Sequence, residues 1–223
     1  MPGNGPLPHR FRDRRSAGLE LAEALAPHAE EHPLVLAQPP GGIPVAFEVA
    51  RQLEAELDLL LVRRIGAPGY QSLSIGALVY GADPQLVLNR EVMRQLHPPA
   101  GWLEVQTQRQ LRELEQCRQL YCGERPVPEA KDRCVILIDD GIAHGGSLRA
   151  ALRGLAKAGP QHLVLAVPVA PRPVIEDLRQ LADEAVCLAM PDPFVSVDRH
   201  YAEFPETSEQ EAIGLLAEAQ HAA

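Results

Sequence analysis

The segment ILIDDGIAHGGS, residues 136–147, constrains the fold of this chain more than any other part of its sequence. It continues the apolar run Cys134–Ile138, passes through Asp139 and Asp140, and reaches a helical pattern after a loop that holds three glycines. An uninterrupted apolar run of this kind is typical of a strand that is buried on both faces. A strand that leads through a short loop into a helix predicts one repeating unit of a parallel sheet.

Apolar runs and helical patterns alternate along the rest of the chain. The runs predict strands at 34–37, 57–62, 73–80, 162–167 and 185–188, and the patterns predict helices at 17–29, after Pro44, at 101–121, 147–158 and 174–182, and after Ser208. This alternation predicts an α/β fold with a central, mostly parallel sheet flanked by helices. Residues 1–10 are expected to form a flexible arm, and 11–223 a single domain with an inserted arm over 66–80 and a C-terminal flap.

The charge of the chain excludes several classes of partner. Its 223 residues carry a net charge of −9, which makes general binding to nucleic acid or to an anionic membrane unfavourable. The apolar stretches are too short to cross a bilayer, and residues 1–10 lack the apolar core of a secretory signal. The four cysteines form no CxxC pair, so neither a disulfide framework nor a zinc site is expected. Together these features predict a cytoplasmic protein.

The loop after Asp140 has the composition of a phosphate-binding loop. Its glycines let backbone N–H groups approach an anion, and the following helix adds the N–H groups of its N-terminus. Asp139 and Asp140 repel phosphate but accept hydrogen bonds from sugar hydroxyls, so the whole segment predicts a site for ribose 5-phosphate. The residues expected to hold the phosphate are Gly141, Ala143, His144, Gly145, Gly146 and Ser147.

A simpler interpretation of this segment is a βα turn with two solvated aspartates and a capping Ser147. Two other kinds of phosphate site are excluded. No Gly-Lys-Ser/Thr triplet of a Walker A loop is present, and acids that precede the glycines do not match the dinucleotide-binding pattern. The order of strand, acid pair, glycine loop and helix favours the ribose 5-phosphate site.

A second candidate anion site follows the first predicted strand. Gly41 and Gly42 precede the helical pattern that Pro44 opens, so their N–H groups and the helix N-terminus are candidate anion donors. Arg63 and Arg64 follow the next predicted strand and offer guanidinium groups to phosphate oxygens. Each feature also has a simpler interpretation, namely a glycine–proline turn without a ligand and a pair of solvated surface arginines.

Residues 135–155 resemble the ribose-phosphate signature of type I phosphoribosyltransferases. Other segments resemble a bacterial subfamily of these enzymes, and the resemblance covers about residues 10–215. These segments are FRDRRSAGLELAEAL, GGIPVAFEVARQL, LDLLLVRRIGAPG, SIGALV, VLN and CLAMPDPF. The resemblance implies that the chain binds 5-phosphoribosyl 1-diphosphate and transfers the phosphoribosyl group to a nitrogenous base with release of pyrophosphate. It also implies Mg²⁺ held mainly through the substrate, with no dedicated metal ligands, and a homodimer.

The resemblance further implies roles for the candidate residues. Asp139 and Asp140 would hold the ribose hydroxyls, and the amides of Gly41 and Gly42 would bind the pyrophosphate. The arginines would neutralise the leaving pyrophosphate, so the implied catalytic set is Asp139, Asp140 and Arg64, supported by Arg63.

Three positions depart from the pattern of similar sequences, and one of them is Ser72, which stands in the arm where an acidic residue is common. The other two lie in the candidate anion loops. Pro40 stands where arginine is usual, which removes an N–H donor and a positive charge, and His144 replaces a hydroxyl residue. Both changes predict weakened transfer, and they leave open a non-catalytic regulatory protein that binds phosphoribosyl diphosphate or a nucleotide. A hydrolase or phosphorylase of a ribose phosphate is less favoured, because a second set of acid or nucleophile motifs is missing.

Overall fold

The structure, a computed structural model, describes residues 10–96 and 98–222, with the side chains of 70–72 and 221–222 excluded. The strands are β1 (Leu34–Ala37), β2 (Glu56–Leu59), β3 (Val62–Ala67), β4 (Tyr70–Val79), β5 (Gln85–Leu88), β6 (Cys134–Ile138), β7 (His162–Val169) and β8 (Glu184–Ala189). The helices are α1 (Arg14–Leu25), α2 (Gly42–Leu53), α3 (Arg90–Leu96), α4 (Trp102–Cys122), α5 (Gly146–Ala158), α6 (Arg172–Leu178) and α7 (Glu209–Ala222). The predicted N-terminal arm lies outside the described residues except for Arg10, whose Nε donates to the Tyr201 carbonyl oxygen at 2.9 Å.

Five parallel strands form the central sheet in the order β2-β1-β6-β7-β8. Helices cover both faces, with α1, α2 and α7 packed on one face and α5 and α6 on the other. The predicted α/β fold with a central parallel sheet is therefore confirmed. The strand order reverses at β1, which lies between β2 and β6, and a reversal of this kind opens a crevice at the carboxyl ends of the strands.

Successive side chains of a strand point to opposite faces of the central sheet, so each short apolar run contributes to a hydrophobic core on both faces. Val35 and Ile136 belong to the core beside α1 and α2, whereas Leu36 and Leu137 belong to the core beside α5 and α6. All residues of β1 and β6 are buried. A strand that is covered on both faces has no polar side, which explains the uninterrupted apolar runs in the sequence.

The strand predicted at 57–62 is wrong in its extent. β2 ends at Leu59, and β3 begins at Val62 in a second, antiparallel sheet with the order β3-β4-β5. Both residues that link the two sheets are buried, so the apolar run continues through the change of sheet and hides it from the sequence. The arm predicted at 66–80 is part of this second sheet, which also contains β5.

Six of the helices overlap predicted ones, whereas α3 and the strand β5 were not predicted. The helix predicted at 17–29 is α1, which is displaced toward the N-terminus. It begins at Arg14 because Asp13 forms a capping box with Ser16, in which the Ser16 N–H donates to Asp13 Oδ1 at 2.7 Å. The predicted start at residue 17 followed the first apolar repeat and missed this cap. At the other end of the chain, Ser208 Oγ accepts from the Glu211 N–H at 3.1 Å, as expected of a cap. Across the described residues, no helix is long and apolar enough to cross a membrane.

A buried ion pair fixes α4 to the edge of the central sheet. Arg118 Nη1 and Nη2 donate to the two Asp58 carboxylate oxygens at 2.6 and 2.9 Å, and both side chains are buried. Arg118 Nη2 also donates to the Pro126 carbonyl oxygen at 3.0 Å. Two parallel charge-assisted hydrogen bonds give this contact a defined geometry, which holds α4 beside the carboxyl end of β2.

Gly18 lets α1 approach α2 closely, because a Cβ there would lie 2.6 Å from the Val45 carbonyl oxygen and 2.9 Å from Glu48 Cβ. We expect Gly18→Ala to force the helices apart and to lower the free energy of unfolding by about 1–3 kcal/mol, the usual cost of overpacking. Gly214→Ala is the matched control, since a Cβ at that helical glycine meets no atom within 4 Å. Urea denaturation of both variants measures the difference, and equal stabilities would contradict this account of the helix contact.

Candidate functional site

Two loops meet at the carboxyl ends of β1 and β6. Ala37 and Ile138 are register partners in this parallel pair, so the segments that follow them start side by side. The Gln38 N–H continues the pairing by donating to the Ile138 carbonyl oxygen at 2.9 Å. The loops 38–41 and 139–145 therefore form the two walls of the crevice at the switch point.

The glycines of the first loop touch the aspartates of the second. A Cβ at Gly41 would lie 2.2 Å from Asp140 Oδ2, and a Cβ at Gly42 would lie 2.9 Å from the Ile138 carbonyl oxygen and 3.1 Å from Asp139 Cα. A side chain at either glycine would push the loops apart. The structure thus brings together the two candidate anion loops that the sequence separates by about a hundred residues.

The backbone of the first loop is partly occupied by its own hydrogen bonds. The Gly42 N–H donates to the Gln38 carbonyl oxygen at 3.0 Å, and the Ile43 N–H donates to the Pro40 carbonyl oxygen at 3.2 Å. Gly41 is the N-cap residue of α2, and no side chain caps this helix end. The Gly42 N–H is therefore used within the loop, which the sequence did not reveal, while the uncapped end of α2 stays beside the crevice.

The second loop ends at the N-terminus of α5. Gly145 is the N-cap residue and has a φ of +67°, a conformation that glycine adopts without strain. An added Cβ there would also lie 2.9 Å from Val174 Cγ1. No side chain caps α5, so the N–H groups of its first turn have no intrahelical partner and point toward the loop. This geometry suits an anion at the helix end.

The remaining residues predicted to hold the phosphate lie between β6 and the first turn of α5. Gly141 and Ala143 precede the helix, His144 is exposed, and Gly146 opens the first turn of α5 with no atom within 4 Å of an added Cβ. Ser147 lies in the same turn. Within this loop the Ile142 N–H is already used, because it donates to the Val169 carbonyl oxygen at 2.9 Å.

Gln38 is a site residue that the sequence did not single out. Its Nε2 donates to Ser147 Oγ at 3.3 Å and so connects the two loops. Its Oε1 is buried and has no hydrogen-bond partner among the described residues. Since buried polar atoms are almost always paired, this oxygen is a candidate acceptor or ligand atom for a bound molecule. The only sequence signal was its position directly after β1.

Asp139 and Asp140 are half-buried between the loops. Asp139 Oδ1 accepts from the Asp140 N–H at 2.9 Å. Burial, and then repulsion from the Asp140 carboxylate, raise the pKa of Asp139 well above its ordinary value. A ligand that donates hydrogen bonds or carries positive charge stabilises the ionised form of such a group.

Arg14 compensates part of this negative charge. Its Nε donates to Asp140 Oδ2 at 2.7 Å, and both side chains are largely buried. The guanidinium carbon lies 3.7 Å from the centroid of the Phe204 ring, and Nη1 donates to the Pro205 carbonyl oxygen. No sequence pattern indicates this pair, because 126 positions separate Arg14 from Asp140.

The C-terminal flap, residues 190–208 between β8 and α7, is hydrogen-bonded to Asp140. The Tyr201 hydroxyl donates to the Asp140 carbonyl oxygen at 2.6 Å, and burial raises the pKa of Tyr201. The Tyr201 ring centroid lies 5.4 Å from that of Phe11 and 4.9 Å from that of Phe204. Phe194 stacks on His200 at 5.6 Å. These flap rings pack on one another and on Arg14.

The two predicted arginines lie within β3 instead of in a loop. Neighbouring residues of a strand point to opposite faces, so Arg63 and Arg64 do not share an environment. Arg63 lines a cavity of ≈ 220 Å³ together with Gln38, Pro40 and Ser147. Arg64 is exposed on the other face of the strand. The structure therefore brings Arg63, but not Arg64, into the lining of this cavity.

A larger cavity lies elsewhere. It has a volume of ≈ 500 Å³ and is lined by the second sheet, by 127–131 and by the end of α5. None of the residues predicted for the site lines it. Its walls carry neither the acid pair nor the anion loops, so the smaller cavity at the strand ends remains the candidate site.

The raised pKa of Asp139 predicts a pH-dependent stability. The protonated form stabilises the native state below the pKa of the unfolded chain, and this contribution is lost as pH rises through the higher native pKa. We therefore expect Asp139→Asn, which does not ionise, to gain stability over the natural chain as pH increases from about 4 toward 8. Thermal denaturation of both proteins across this range measures the difference, and parallel curves would contradict the prediction.

Comparisons with known proteins agree with this geometry. The sequence matches the phosphoribosyl transferase domain family over residues 16–201. Two curated relatives from Mycobacterium tuberculosis, "Putative phosphoribosyl transferase MT0597" of strain CDC 1551 / Oshkosh and "Putative phosphoribosyl transferase Rv0571c" of strain ATCC 25618 / H37Rv, are each 38% identical over 206 residues. The matches cover 92% of this chain and 46% of each relative, so the chain spans about half the length of these curated relatives.

A solved structure extends the similarity to the whole fold. The crystal structure of TT1426 from Thermus thermophilus is 42% identical, with a TM-score of 0.81, and the match covers 94% of this chain and 98% of that one. The parallel sheet, the inserted antiparallel sheet and the C-terminal flap define the fold class of a type I phosphoribosyltransferase. The chain belongs to the phosphoribosyl transferase domain family, as the sequence motifs indicated.

Proposed function

We propose that the chain binds 5-phosphoribosyl 1-diphosphate at the switch-point crevice and transfers its phosphoribosyl group to a nitrogenous acceptor. The observation that carries this proposal is the contact of the two anion loops over the acid pair, with Gly41 against Asp140. Two uncapped helix ends suit two anionic groups, and the carboxylates between them suit the hydroxyls of a sugar. A phosphorylated ribose that carries pyrophosphate on C1 has this order of groups.

The α5 end of the crevice is the proposed site for the 5-phosphate. The proposed donors are the N–H groups of the first turn, the loop amides of Gly141, Ala143, His144 and Gly145, and the Ser147 hydroxyl, whereas the Ile142 N–H is paired with the Val169 carbonyl oxygen. Asp139 and Asp140 then accept hydrogen bonds from the ribose hydroxyls. Hydroxyl donors favour the ionised form of Asp139, so we expect sugar binding to lower its raised pKa.

The α2 end is the proposed site for the pyrophosphate. Gly41, Gly42 and the helix end contribute backbone dipoles, and Arg63 reaches the adjoining cavity. Arg64 retains its proposed role only if β3 moves, since it lies on the opposite face of that strand. The cavity of ≈ 220 Å³ beside this helix end is the proposed space for the pyrophosphate.

The oxygen donors of the crevice fit the Mg²⁺ that accompanies this class of substrate. Mg²⁺ prefers oxygen ligands and keeps several of its waters. The carboxylates of Asp139 and Asp140 and the unpartnered Gln38 Oε1 are oxygen donors of this kind. We infer that they face a cation held mainly through the substrate. When bound, the cation neutralises charge on the pyrophosphate.

In the proposed reaction a nitrogen of the acceptor forms a bond to C1 of the ribose, and the bond from C1 to the pyrophosphate oxygen breaks. The acceptor proton passes to solvent, and pyrophosphate leaves with the electron pair. Positive charge develops on the ribose, where Asp139 and Asp140 act through its hydroxyls. Negative charge develops on pyrophosphate, where Arg63, the Gly41 N–H and the dipole of α2 stabilise it. The Gly42 and Ile43 N–H groups do not take part, since they are paired within the loop, and Pro44 has none.

A second candidate function is binding without transfer, in a regulatory protein. The observation that favours it is the shortage of free N–H donors in loop 38–41 and at the start of α2. Pro40 lacks an N–H group, and the Gly42 N–H already donates to the Gln38 carbonyl oxygen. A sensor of this kind binds phosphoribosyl diphosphate and releases no pyrophosphate with any acceptor. The homodimer and the cytoplasmic location implied by sequence stay predictions under both functions.

Calorimetric titration with phosphoribosyl diphosphate and Mg²⁺ tests the site. We expect Asp140→Asn to weaken binding by about tenfold or more, because a charged hydrogen bond contributes about 1.5–3 kcal/mol. Asp132→Asn is the matched control, since Asp132 is exposed and lies outside the crevice. Unchanged affinity in Asp140→Asn would remove this acid from the site. Pyrophosphate release with a panel of bases then separates transfer from binding alone.

The two unusual loop residues provide a gain-of-function test. Pro40→Arg adds a charge beside the proposed pyrophosphate site, and His144→Thr adds a hydroxyl to the proposed phosphate loop. We expect the pair to tighten binding of the donor by about tenfold, the value of one added charged hydrogen bond. Pro99→Arg, at another exposed loop proline, controls for the general effect of charge. Equal tightening by Pro99→Arg would show that Pro40 has no local role.

A further inference from the structure

A second cluster of reactive side chains lies at the opposite end of the central sheet. One ligand atom from each of His28, Glu31, Cys134 and His162 lies within 4.8 Å of every other. Cys134 and His162 begin β6 and β7, and His28 and Glu31 belong to the 3₁₀ turn that follows α1. The donor site lies at the carboxyl ends of these parallel strands, so the two sites are separated by the length of the sheet.

The fold places these four residues together by two local rules. Cys134 and His162 are register partners in the parallel pair of β6 and β7, so their side chains leave the sheet side by side. His28 and Glu31 are three residues apart in a 3₁₀ turn, where side chains at that spacing eclipse each other. Packing of the turn against the strand starts then joins the two pairs.

The contacts within the cluster show how negative groups surround the imidazoles. His28 Nδ1 lies 2.7 Å from Glu31 Oε1, and His28 Nε2 lies 3.3 Å from Glu184 Oε2. His162 Nδ1 lies 3.2 Å from Glu31 Oε2, and the two imidazole centroids are 5.3 Å apart. The carboxylates of Glu31 and Glu184 and the buried Cys134 sulfur therefore surround two imidazoles. Nitrogen, sulfur and carboxylate oxygen atoms are the ligands that Zn²⁺ takes in proteins.

We propose that His28, Glu31, Cys134 and His162 bind one Zn²⁺ ion as a structural site. Zn²⁺ takes nitrogen, sulfur and carboxylate ligands in tetrahedral geometry, with ligand atoms about 3.3–3.8 Å apart. The observed spacing reaches this geometry with side-chain adjustments of about an ångström. Glu184 is a neighbouring carboxylate that can orient His28 from outside the ligand set.

Burial in the cluster also suits a metal that enters from solvent. Cys134 and His28 are buried, whereas Glu31 is exposed and His162 is half-buried. The interior ligands are thus fixed by packing, and the outer ligands can close over an ion. Four protein ligands leave no open position, so the ion holds the turn after α1 to β6 and β7 and takes no part in phosphoribosyl transfer.

The sequence-based expectation of no zinc site rested on the absence of a CxxC pair. That spacing describes ligands carried by one short loop. Here the four ligands come from three elements that are distant in sequence, with Cys134 as the single thiol. Only the register of β6 with β7 and the packing of the 3₁₀ turn bring them together.

Titration of the chelator-treated full chain with Co²⁺ tests the proposal, because a cobalt–thiolate bond gives a near-ultraviolet charge-transfer band. We expect one equivalent of Co²⁺ to produce the band and one equivalent of Zn²⁺ to remove it. Cys134→Ser abolishes the band, whereas the control Cys187→Ser, at a cysteine outside the cluster, keeps it. Zinc also raises the melting temperature of the natural chain and of Cys187→Ser.

If Cys134→Ser does not fold, His162→Gln is the second variant that tests the proposal. His162 is only half-buried, so this change is expected to leave the fold intact. We expect it to weaken Zn²⁺ binding by more than the about 10–100-fold that changes outside a ligand set produce. The proposal is overturned if stoichiometric Co²⁺ gives no thiolate band, if the band survives Cys134→Ser, or if His162→Gln binds Zn²⁺ as the natural chain does. Phosphoribosyl diphosphate binding is a separate readout, so failure of one site leaves the other standing.

Discussion

The parallel pairing of β1 with β6 is the interaction on which the candidate active site depends. Because Ala37 and Ile138 are register partners, the two loops leave the sheet together, and their backbones come so close that Gly41 and Gly42 have no room for side chains. The same pairing lies at the point where the strand order reverses, so the crevice is a consequence of topology. The two loops contribute the glycines and the acid pair of the candidate site.

Two half-buried carboxylates lie side by side in this crevice, and residues from both terminal segments of the described chain bond to one of them. Asp139 resists ionisation because of burial and because Asp140 lies beside it. Arg14, at the start of α1, and Tyr201, in the C-terminal flap, both bond to Asp140. The flap and the first helix therefore hold Asp140 in position.

The two ends of the central sheet have different chemistry for a common geometric reason. In parallel strands all carboxyl ends meet on one side and all amino ends on the other, so residues at equivalent positions gather at each edge. At the carboxyl edge this gathers glycines, acids and helix N-termini. At the amino edge it gathers Cys134 and His162, to which the turn after α1 adds His28 and Glu31. The proposed zinc site joins two of the strands of the central sheet at the end opposite the candidate functional site.

Local sequence patterns were enough to predict the strands of the central sheet, six of the helices and the loop from Asp139 to Ser147, because each depends on nearby apolar residues, glycines and caps. The short strand β5 and the helix α3 were missed. The patterns did not reveal that the chain changes sheets after Leu59, since the linking residues are as buried as the strands beside them. The partnership of Arg14 with Asp140 and the proposed zinc cluster became visible only in the folded chain. Both join residues that are distant in sequence, and their formation depends on strand register and helix packing, which no local pattern encodes.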